Sequence, residues 1–383
     1  MNLPAPEIID NGPDLARLAV NLAREPLIAF DTESNSLYAY RERVCLIQVS
    51  TRTADYVIDP FGIDSLAPLG PILADPQIEK VFHAAEYDLM CMKRDYGFTF
   101  NNIFDTMFAA RIIGRKHFGL GALIEEFFNL PVDKRYQRAD WSARPLPQEQ
   151  LQYAQQDTHY LPQIRDFLLA ELTEKNRVAE AREIFEALTQ VPAAEPHFDP
   201  DGYWRINGSQ DFSRRQMAVF RELYLWRNTT AEQQDVPPFK VMGDAGLLAL
   251  AQALPTSATE MFKIRELAAH QVRRYAADLL KAIDAGFEAP LPRRPERPRP
   301  PDPEIQARFD ALHNWRKKRA AERGVESDII LSKESMWAMA RNPPADLADL
   351  ASVPGLGPFR RDEYGEQLLH VVATAQPPSP DPA

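Results

Sequence analysis

Along the first 190 residues the hydrophobic positions switch between two periods. Leu27–Phe30, Val44–Ser50, Tyr56–Asp59 and Ile78–His83 are short apolar runs, rich in β-branched residues and bounded by turns, which predicts buried strands. Between and after them apolar residues recur at helical spacing, predicting helices over Asp14–Asn21, Ala84–Lys93, Asp105–Ile113, Leu120–Phe128 and Pro147–Leu161. Asp105 stands where an N-cap is needed, and Pro162 should kink or restart the last helix before Leu168–Leu172. The opening strands suggest a mainly antiparallel meander at the head of an α/β domain.

After Leu188 the pattern changes. Residues 191–212 form a linker rich in proline and acid, and from Ser213 to Gly286 the periodicity is wholly helical. That helical stretch recurs. Trp226-Arg227 returns as Trp315-Arg316, Pro255 as Pro344, Tyr275 as Tyr364 and Leu279-Leu280 as Leu368-Leu369, always 89 positions later. A register kept without a gap across four landmarks marks an internal duplication. The expected organisation is an α/β domain over 1–190, the linker, a helical copy over 213–286, and a semi-rigid Pro/Arg spacer over 287–303. A second copy over 304–375 and a disordered tail over 376–383 complete it. The spacer holds Arg293, Arg294, Arg297 and Arg299.

Bulk composition narrows the class. A length of 383 residues implies two to three domains, and the 45% hydrophobic and 26% charged fractions are those of a soluble globular protein. No stretch approaches the roughly 20 apolar residues of a membrane span. The first residues lack the basic and apolar regions of a signal peptide, so a cytoplasmic protein is expected. Cys45 and Cys91 sit in apolar surroundings and form neither a disulfide framework nor a zinc pattern. No phosphate-binding Gly-x-x-x-x-Gly-Lys-Ser/Thr loop is present, which excludes an NTP-driven motor of that type. A net charge of −11 argues against an ordinary nucleic-acid binder, whose footprint is basic. An enzyme that holds divalent ions is nevertheless acidic at its site, and basic clusters exist locally: Lys134, Arg135, Arg138 and Arg144, and Arg316 to Arg319.

The candidate chemistry begins at Asp31 and Glu33. Side chains two apart on a strand leave one face, so these carboxylates project together from the end of the Leu27 run. Their repulsion is relieved most simply by a cation. Alone, the pair also reads as a strand entering an acidic turn. Asp88 falls in the first turns of a helix, and Tyr153 and Asp157 share a helical face one turn apart. Four carboxylates and a phenol suit phosphodiester hydrolysis, which needs an activated water and relief of charge on the departing 3′ oxygen. Two divalent ions about 3.5–4 Å apart supply both. Mg²⁺ and Mn²⁺ favour oxygen ligands, and a tyrosine hydroxyl can hold the attacking water in line.

These residues stand in motifs. Phe30-Asp31-Thr32-Glu33 is followed by Cys45-Leu-Ile-Gln48, then by His83-Ala-Ala-Glu-Tyr87-Asp88-Leu89. Ala139-Asp-Trp141-Ser-Ala-Arg144-Pro-Leu146 leads into Gln150-Leu-Gln-Tyr153-Ala-Gln-Gln-Asp157. In that order they resemble the DEDD exonucleases, and within them the ribonuclease D family. The resemblance implies a ribonuclease-H-like mixed sheet flanked by helices. It also implies Asp31, Glu33, Asp88 and Asp157 as ligands of two metal ions, with Tyr153 positioning the water. A related subclass carries histidine five residues before the last aspartate; here that residue is Gln152, which matches the tyrosine subclass. Each helical copy resembles the HRDC domain, a small nucleic-acid-binding module.

The activity so implied is metal-dependent 3′–5′ exoribonuclease action that releases nucleoside 5′-monophosphates from RNA with a free 3′ end. By resemblance the substrates are tRNA precursors; the two helical modules are expected to dock the body of the substrate, and the protein is expected to be a monomer. A DNA or dual-specificity exonuclease shares the same site. A non-catalytic RNA-binding scaffold would be favoured by loss of a carboxylate, and none is lost. His83 is either a satisfied hydrogen-bonder or an RNA contact, and Trp141 either core or a stacking platform for bases. Arg144 is a candidate phosphate contact. Gly355 and Gly357 would let backbone N–H groups approach a phosphate in the second copy, where the first has Glu266 and Ala268.

Overall fold

The computed structural model describes residues 3–132, 135–195, 198–296 and 300–377; Lys134, Arg297, Arg299 and positions 378–383 of the expected tail lie outside them. The chain forms two compact units. One comprises Met1–Glu33, Val44–Ala194 and Arg299–Ala383, the other Ser34–Arg43 and Glu195–Pro298.

The first unit is built on a six-stranded sheet. Its elements run β1 (Glu7–Ile9), α1 (Gly12–Leu22), β2 (Leu27–Ser34), β3 (Val44–Ser50), β4 (Asp55–Ile58), α2 (Gly70–Ala74), β5 (Glu79–Phe82) and α3 (Glu86–Tyr96). They continue through β6 (Ile103–Asp105), α4 (Thr106–Ile113), α5 (Leu120–Phe128), α6 (Gln148–His159), α7 (Leu161–Glu174) and α8 (Val178–Thr189). The strand order is β1-β4-β3-β2-β5-β6. Antiparallel pairing joins β3 to β4, whereas β1 runs parallel to β4 and β2, β5 and β6 pair in parallel. The meander expected from the sequence therefore covers only part of a mixed sheet. β1 and β6 escaped the hydrophobic pattern because three residues carry no period, and helices supply the crossovers that parallel pairing needs.

The two-residue period of β2 divides the core. Ile28 and Phe30 join Leu15, Leu18, Leu89 and Met92 on one face of the sheet. Leu27 and Ala29 join Val81, Phe104, Ile112, Ile164, Leu168 and Phe185 on the other. Each fully buried large side chain contributes about 1.5–3 kcal/mol by leaving water. Together these layers hold the end of β2 in place.

The second unit contains α9 (Arg214–Gln234), α10 (Pro238–Val241), α11 (Asp244–Ala253), α12 (Ala258–Met261) and α13 (Ala269–Glu288). Its short segment Ser34–Arg43 lies against α9 and α10. The Tyr40 hydroxyl donates to Asn228 at 2.9 Å, its backbone N–H donates to Asp235 at 3.2 Å, and Lys240 sits 3.9 Å from the Tyr38 ring centre. The second helical copy belongs to the first unit and comprises α14 (Pro303–Arg323), α15 (Ser327–Ile330), α16 (Lys333–Arg341) and α17 (Pro358–Thr374).

The duplication is structural as well as sequential. Trp226 meets Tyr275 edge-on with ring centres 5.4 Å apart, and Trp315 meets Tyr364 in the same way at 5.5 Å. Arg227 donates to the Met242 carbonyl at 3.1 Å, and Arg316 to the Leu331 carbonyl at 3.0 Å. Half of the basic run Arg316 to Arg319 is thus structural, since Arg319 in turn donates to Gln367 at 2.5 Å.

The second copy is fastened to α4 and α8. Arg323 makes a two-pronged bond to Glu180, at 2.9 and 2.6 Å, and Arg360 donates to Glu183 at 2.6 Å. Arg111 reaches back to Glu326 at 2.7 Å and Asp328 at 2.5 Å. Ile329, 1% exposed, joins the hydrophobic layer of the sheet domain.

Candidate active site

The end of β2 carries Asp31 and Glu33 on one side, and α6 brings Asp157 to them. One carboxylate oxygen from each of the three lies within 4.8 Å of the other two. Asp88, in the first turn of α3 and 7% exposed, accepts a hydrogen bond from the hydroxyl of Thr32, the residue between the two β2 acids. Tyr153 stands one turn before Asp157 on α6, 9% exposed, with its ring 6.0 Å from that of Trp141 and 5.9 Å from that of Tyr136. The structure therefore gathers the four acids, with the tyrosine on the helix that brings the last of them.

Electrostatics mark this group as incomplete by itself. Burial first, and then the charges of Asp88, Asp157 and Glu33, hold the Asp31 carboxyl well above the usual carboxylate range. Burial followed by Asp157 and Asp88 pushes Glu33 up to about 9. Burial likewise raises Asp88 to about 7, against the pull of its Thr32 bonds, and burial beside Asp88 raises Asp157 to about 7. Recessed oxygen donors that repel one another fit hard divalent cations such as Mg²⁺ or Mn²⁺.

Supporting contacts fix the two helices that deliver Asp88 and Asp157. Ser50 on β3 lies 2.7 Å from the Thr158 hydroxyl and donates to Asp55 at 2.7 Å. Gln155 and His159 bind the other oxygen of Asp55, at 2.7 and 2.8 Å. These bonds pin α6 to β3 and β4. Asp105, fully buried, accepts from the Phe108 N–H at 3.0 Å, the cap its position in the sequence implies. It also accepts from the N–H groups of Ala84 at 3.3 Å and Ala85 at 2.7 Å, and so sets the turn that launches α3 and Asp88. Ala84 adopts a left-handed φ of 62°, which alanine disfavours and the Asp105 bonds hold. The sequence pattern does not reveal the second duty of Asp105 or the Asp55 network, because both link residues distant along the chain. Thr32 lay in plain view inside its motif.

The remaining candidates fall into place differently. His83 lies 2.9 Å from the Thr106 hydroxyl, and burial pulls its pKa down to about 4, so its imidazole is neutral at pH 7. Trp141 is 1% exposed and packs with Cys45, Leu46 and Tyr153, the core alternative of its two readings. Arg144 binds both oxygens of Asp59, at 2.6 and 2.9 Å, and the carbonyls of Trp141 and Cys45, and stacks 4.6 Å from the Phe61 ring centre. Gly355 takes a left-handed φ of 70°. Gly357 caps α17, and a Cβ there would collide with the carboxyl of Glu183, which also accepts from the Arg360 N–H at 3.3 Å. The anion at this glycine turn is a side chain of the protein itself.

Comparison with known proteins agrees with this geometry. Residues 6–173 match the 3′-5′ exonuclease family, and residues 216–283 and 305–372 each match the HRDC domain. The chain is 30% identical over 376 residues to ribonuclease D of Gluconacetobacter diazotrophicus, covering 96% of this chain and 92% of that protein. It is 33% identical over 280 residues to the exosome complex component 10 homolog of Caenorhabditis elegans, covering 72% of this chain but only 32% of that longer protein. Among solved structures, the catalytic core of RRP6 from Trypanosoma brucei superposes with a TM-score of 0.68 at 33% identity, covering 75% of this chain and 82% of that one. Escherichia coli RNase D shares the fold with a TM-score of 0.68 at 24% identity, over 98% and 100% of the two chains. Fold and site together define a divalent-metal-dependent 3′–5′ exonuclease joined to two HRDC domains. Within that class, the chain belongs to the ribonuclease D family.

Proposed function

We propose that this protein is an exoribonuclease that removes nucleotides one at a time from the 3′ end of RNA, with tRNA precursors as substrates, acting as a cytoplasmic monomer. The observation that carries the reading is the convergence of Asp31, Glu33 and Asp157 within 4.8 Å, with Asp88 tethered alongside by Thr32. In this reading the four carboxylates hold two Mg²⁺ or Mn²⁺ ions, which supply an activated water and neutralise charge on the departing oxygen. The protein's own contribution is positional. Asp105 fixes the turn before α3, and the Asp55 network fixes α6, so ligands on three elements keep one arrangement. Tyr153, wedged between Trp141 and Tyr136, orients the attacking water rather than acting as a strong base. His83, neutral and bonded to Thr106, serves as a hydrogen-bonding partner rather than a proton donor.

The test uses 5′-labelled RNA and matched DNA, each with a 3′ overhang, incubated with Mg²⁺, Mn²⁺ or EDTA. The expected result is a ladder shortening from the 3′ end of the RNA in the presence of metal, with DNA spared. Equal cleavage of DNA would replace the reading by a broader nuclease. Binding without cleavage under both metals would overturn the catalytic assignment.

A further inference from the structure

The motif Cys45-Leu-Ile-Gln48 ends on an amide for which the site described above has no use. Gln48 lies in the middle of β3 and is wholly buried. Its side-chain oxygen and nitrogen are both enclosed without a hydrogen-bond partner, a condition that no other glutamine or asparagine among the described residues shares. An unpaired amide in a dry interior costs free energy that an apolar side chain of the same length would avoid.

Sheet register fixes the side on which this amide lies. Gln48 stands opposite Val57 across the antiparallel β3–β4 ladder, so the two side chains share a face. Val57 packs in one cluster with Leu46, Trp141, Tyr153 and Ala154. Two residues beyond Gln48, Ser50 lies 2.7 Å from the Thr158 hydroxyl. Leu46, Gln48 and Ser50 therefore face α6 together, with Gln48 beneath the turn from Ala154 to Thr158. That turn carries Asp157. The other neighbour of β3 is β2, whose Leu27 and Ala29 pack against α7 and lead, at the same two-residue period, to Asp31 and Glu33.

The surrounding polar groups leave little choice of partner. Ser50, Asp55, Thr158, Gln155 and His159 are bonded to one another. The buried Trp141 N–H is a donor, so it could answer only the oxygen of Gln48. The nitrogen needs an acceptor. Asp88 already has the Thr32 hydroxyl, whereas only burial and the Asp88 charge act on Asp157. The unpaired donor and the unsupported acid thus stand on facing elements.

We infer that Gln48 is a positioning residue of the metal site, whose amide N–H₂ holds the Asp157 carboxylate in the orientation that lets it share an ion with Asp31 and Glu33. Carboxylates that ligate metal are themselves held by hydrogen bonds from outside the ligand set, and Gln48 is the donor placed to do so here. The inference rests on the metal-dependent reading of the four acids and adds no ligand to them.

Gln48→Met in the full-length chain keeps the side-chain length and removes both polar atoms. Without metal, the variant should melt at or above the wild-type temperature, because it buries no unpaired amide. Calorimetric titration with Mn²⁺ should show binding about tenfold weaker than wild type, the scale of loss expected when such a support is removed. Ser50→Ala supplies the contrast on the same face: it breaks bonds that are already made, so its metal-free melting temperature should fall. Gln48→Leu repeats the measurement with a different shape, so that a packing fault peculiar to methionine is not mistaken for a role. Metal-free melting temperatures that fall in both Gln48 variants would show a satisfied structural amide and overturn the inference. Wild-type Mn²⁺ affinity in either variant, once folded, would overturn it too. A wild-type protein that takes up no Mn²⁺ would strike the metal-dependent reading and this inference with it, which sets that failure apart from the other two.

Discussion

Two groups of recessed carboxylates lie in the first unit, and they are neutralised in opposite ways. Glu180 and Glu183 on α8 each meet a guanidinium, Arg323 and Arg360, with only 0% and 9% of the two carboxylate side chains exposed. Asp31, Glu33, Asp88 and Asp157 face one another, and the charges acting on Asp31 are all acidic. Acids paired inside the chain are architecture, since their charge is answered where it is buried. Acids that converge without such an answer raise the energy of the metal-free fold, which is why we propose them as the cation site.

The sharpest way to break this comparison is to neutralise one acid from each group. Asp31→Asn should lower the cleavage rate on the order of a thousandfold or more, because several kcal/mol of metal-borne stabilisation is lost. The same change should leave the metal-free melting temperature unchanged or higher, since it removes repulsion. A rate near wild type would refute the site. Tyr153→Phe is expected to reduce kcat about a hundredfold with little change in KM, the signature of a misplaced water rather than lost binding. Single-turnover kinetics on short RNA would show it.

In the other group the effect moves to stability. Arg360→Gln restores the residue of the first copy but leaves Glu183 buried and unpaired, at an expected loss of about 3–5 kcal/mol. Calorimetry should show the second HRDC copy melting earlier, and Arg360→Gln combined with Glu183→Gln should recover part of that loss. An unchanged melt would mean that the dock carries no weight.

The gentlest probe is pH. Folded-state values of about 7 for Asp88 and Asp157 and about 9 for Glu33 stand above the ordinary 3.8 and 4.5. The folded state therefore binds more protons than the unfolded state between those limits. Metal-free stability is highest below the ordinary values and declines as pH rises through the folded ones. Divalent metal must displace those protons, so its apparent affinity should rise from pH 6 to pH 9, as titration calorimetry in two buffers can measure. A pH-independent affinity would contradict the shifts.

Much of the site was legible in the sequence because it is encoded locally. Two residues on a strand and four on a helix fix shared faces, so Asp31 with Glu33 and Tyr153 with Asp157 follow from spacing. Asp105 was half legible: its cap obeys local rules, whereas its grip on Ala84 and Ala85 depends on β5 and β6 lying side by side. Gly357 shows the limit more clearly. A glycine announces that something approaches the backbone closely, but it names no visitor, and the phosphate expected there is matched by the carboxyl of Glu183 from α8.

By itself the sequence determined the helical and strand periods, the duplicated framework with its constant offset, and the acids proposed for catalysis. Only the tertiary structure decided which strands pair in parallel, which buried acids are answered by arginine, and which of the two duplicated modules is tied to the nuclease domain. The physical reason lies in range. Periodicity and capping act over a few residues, whereas burial and charge pairing depend on which distant segments a common core brings together.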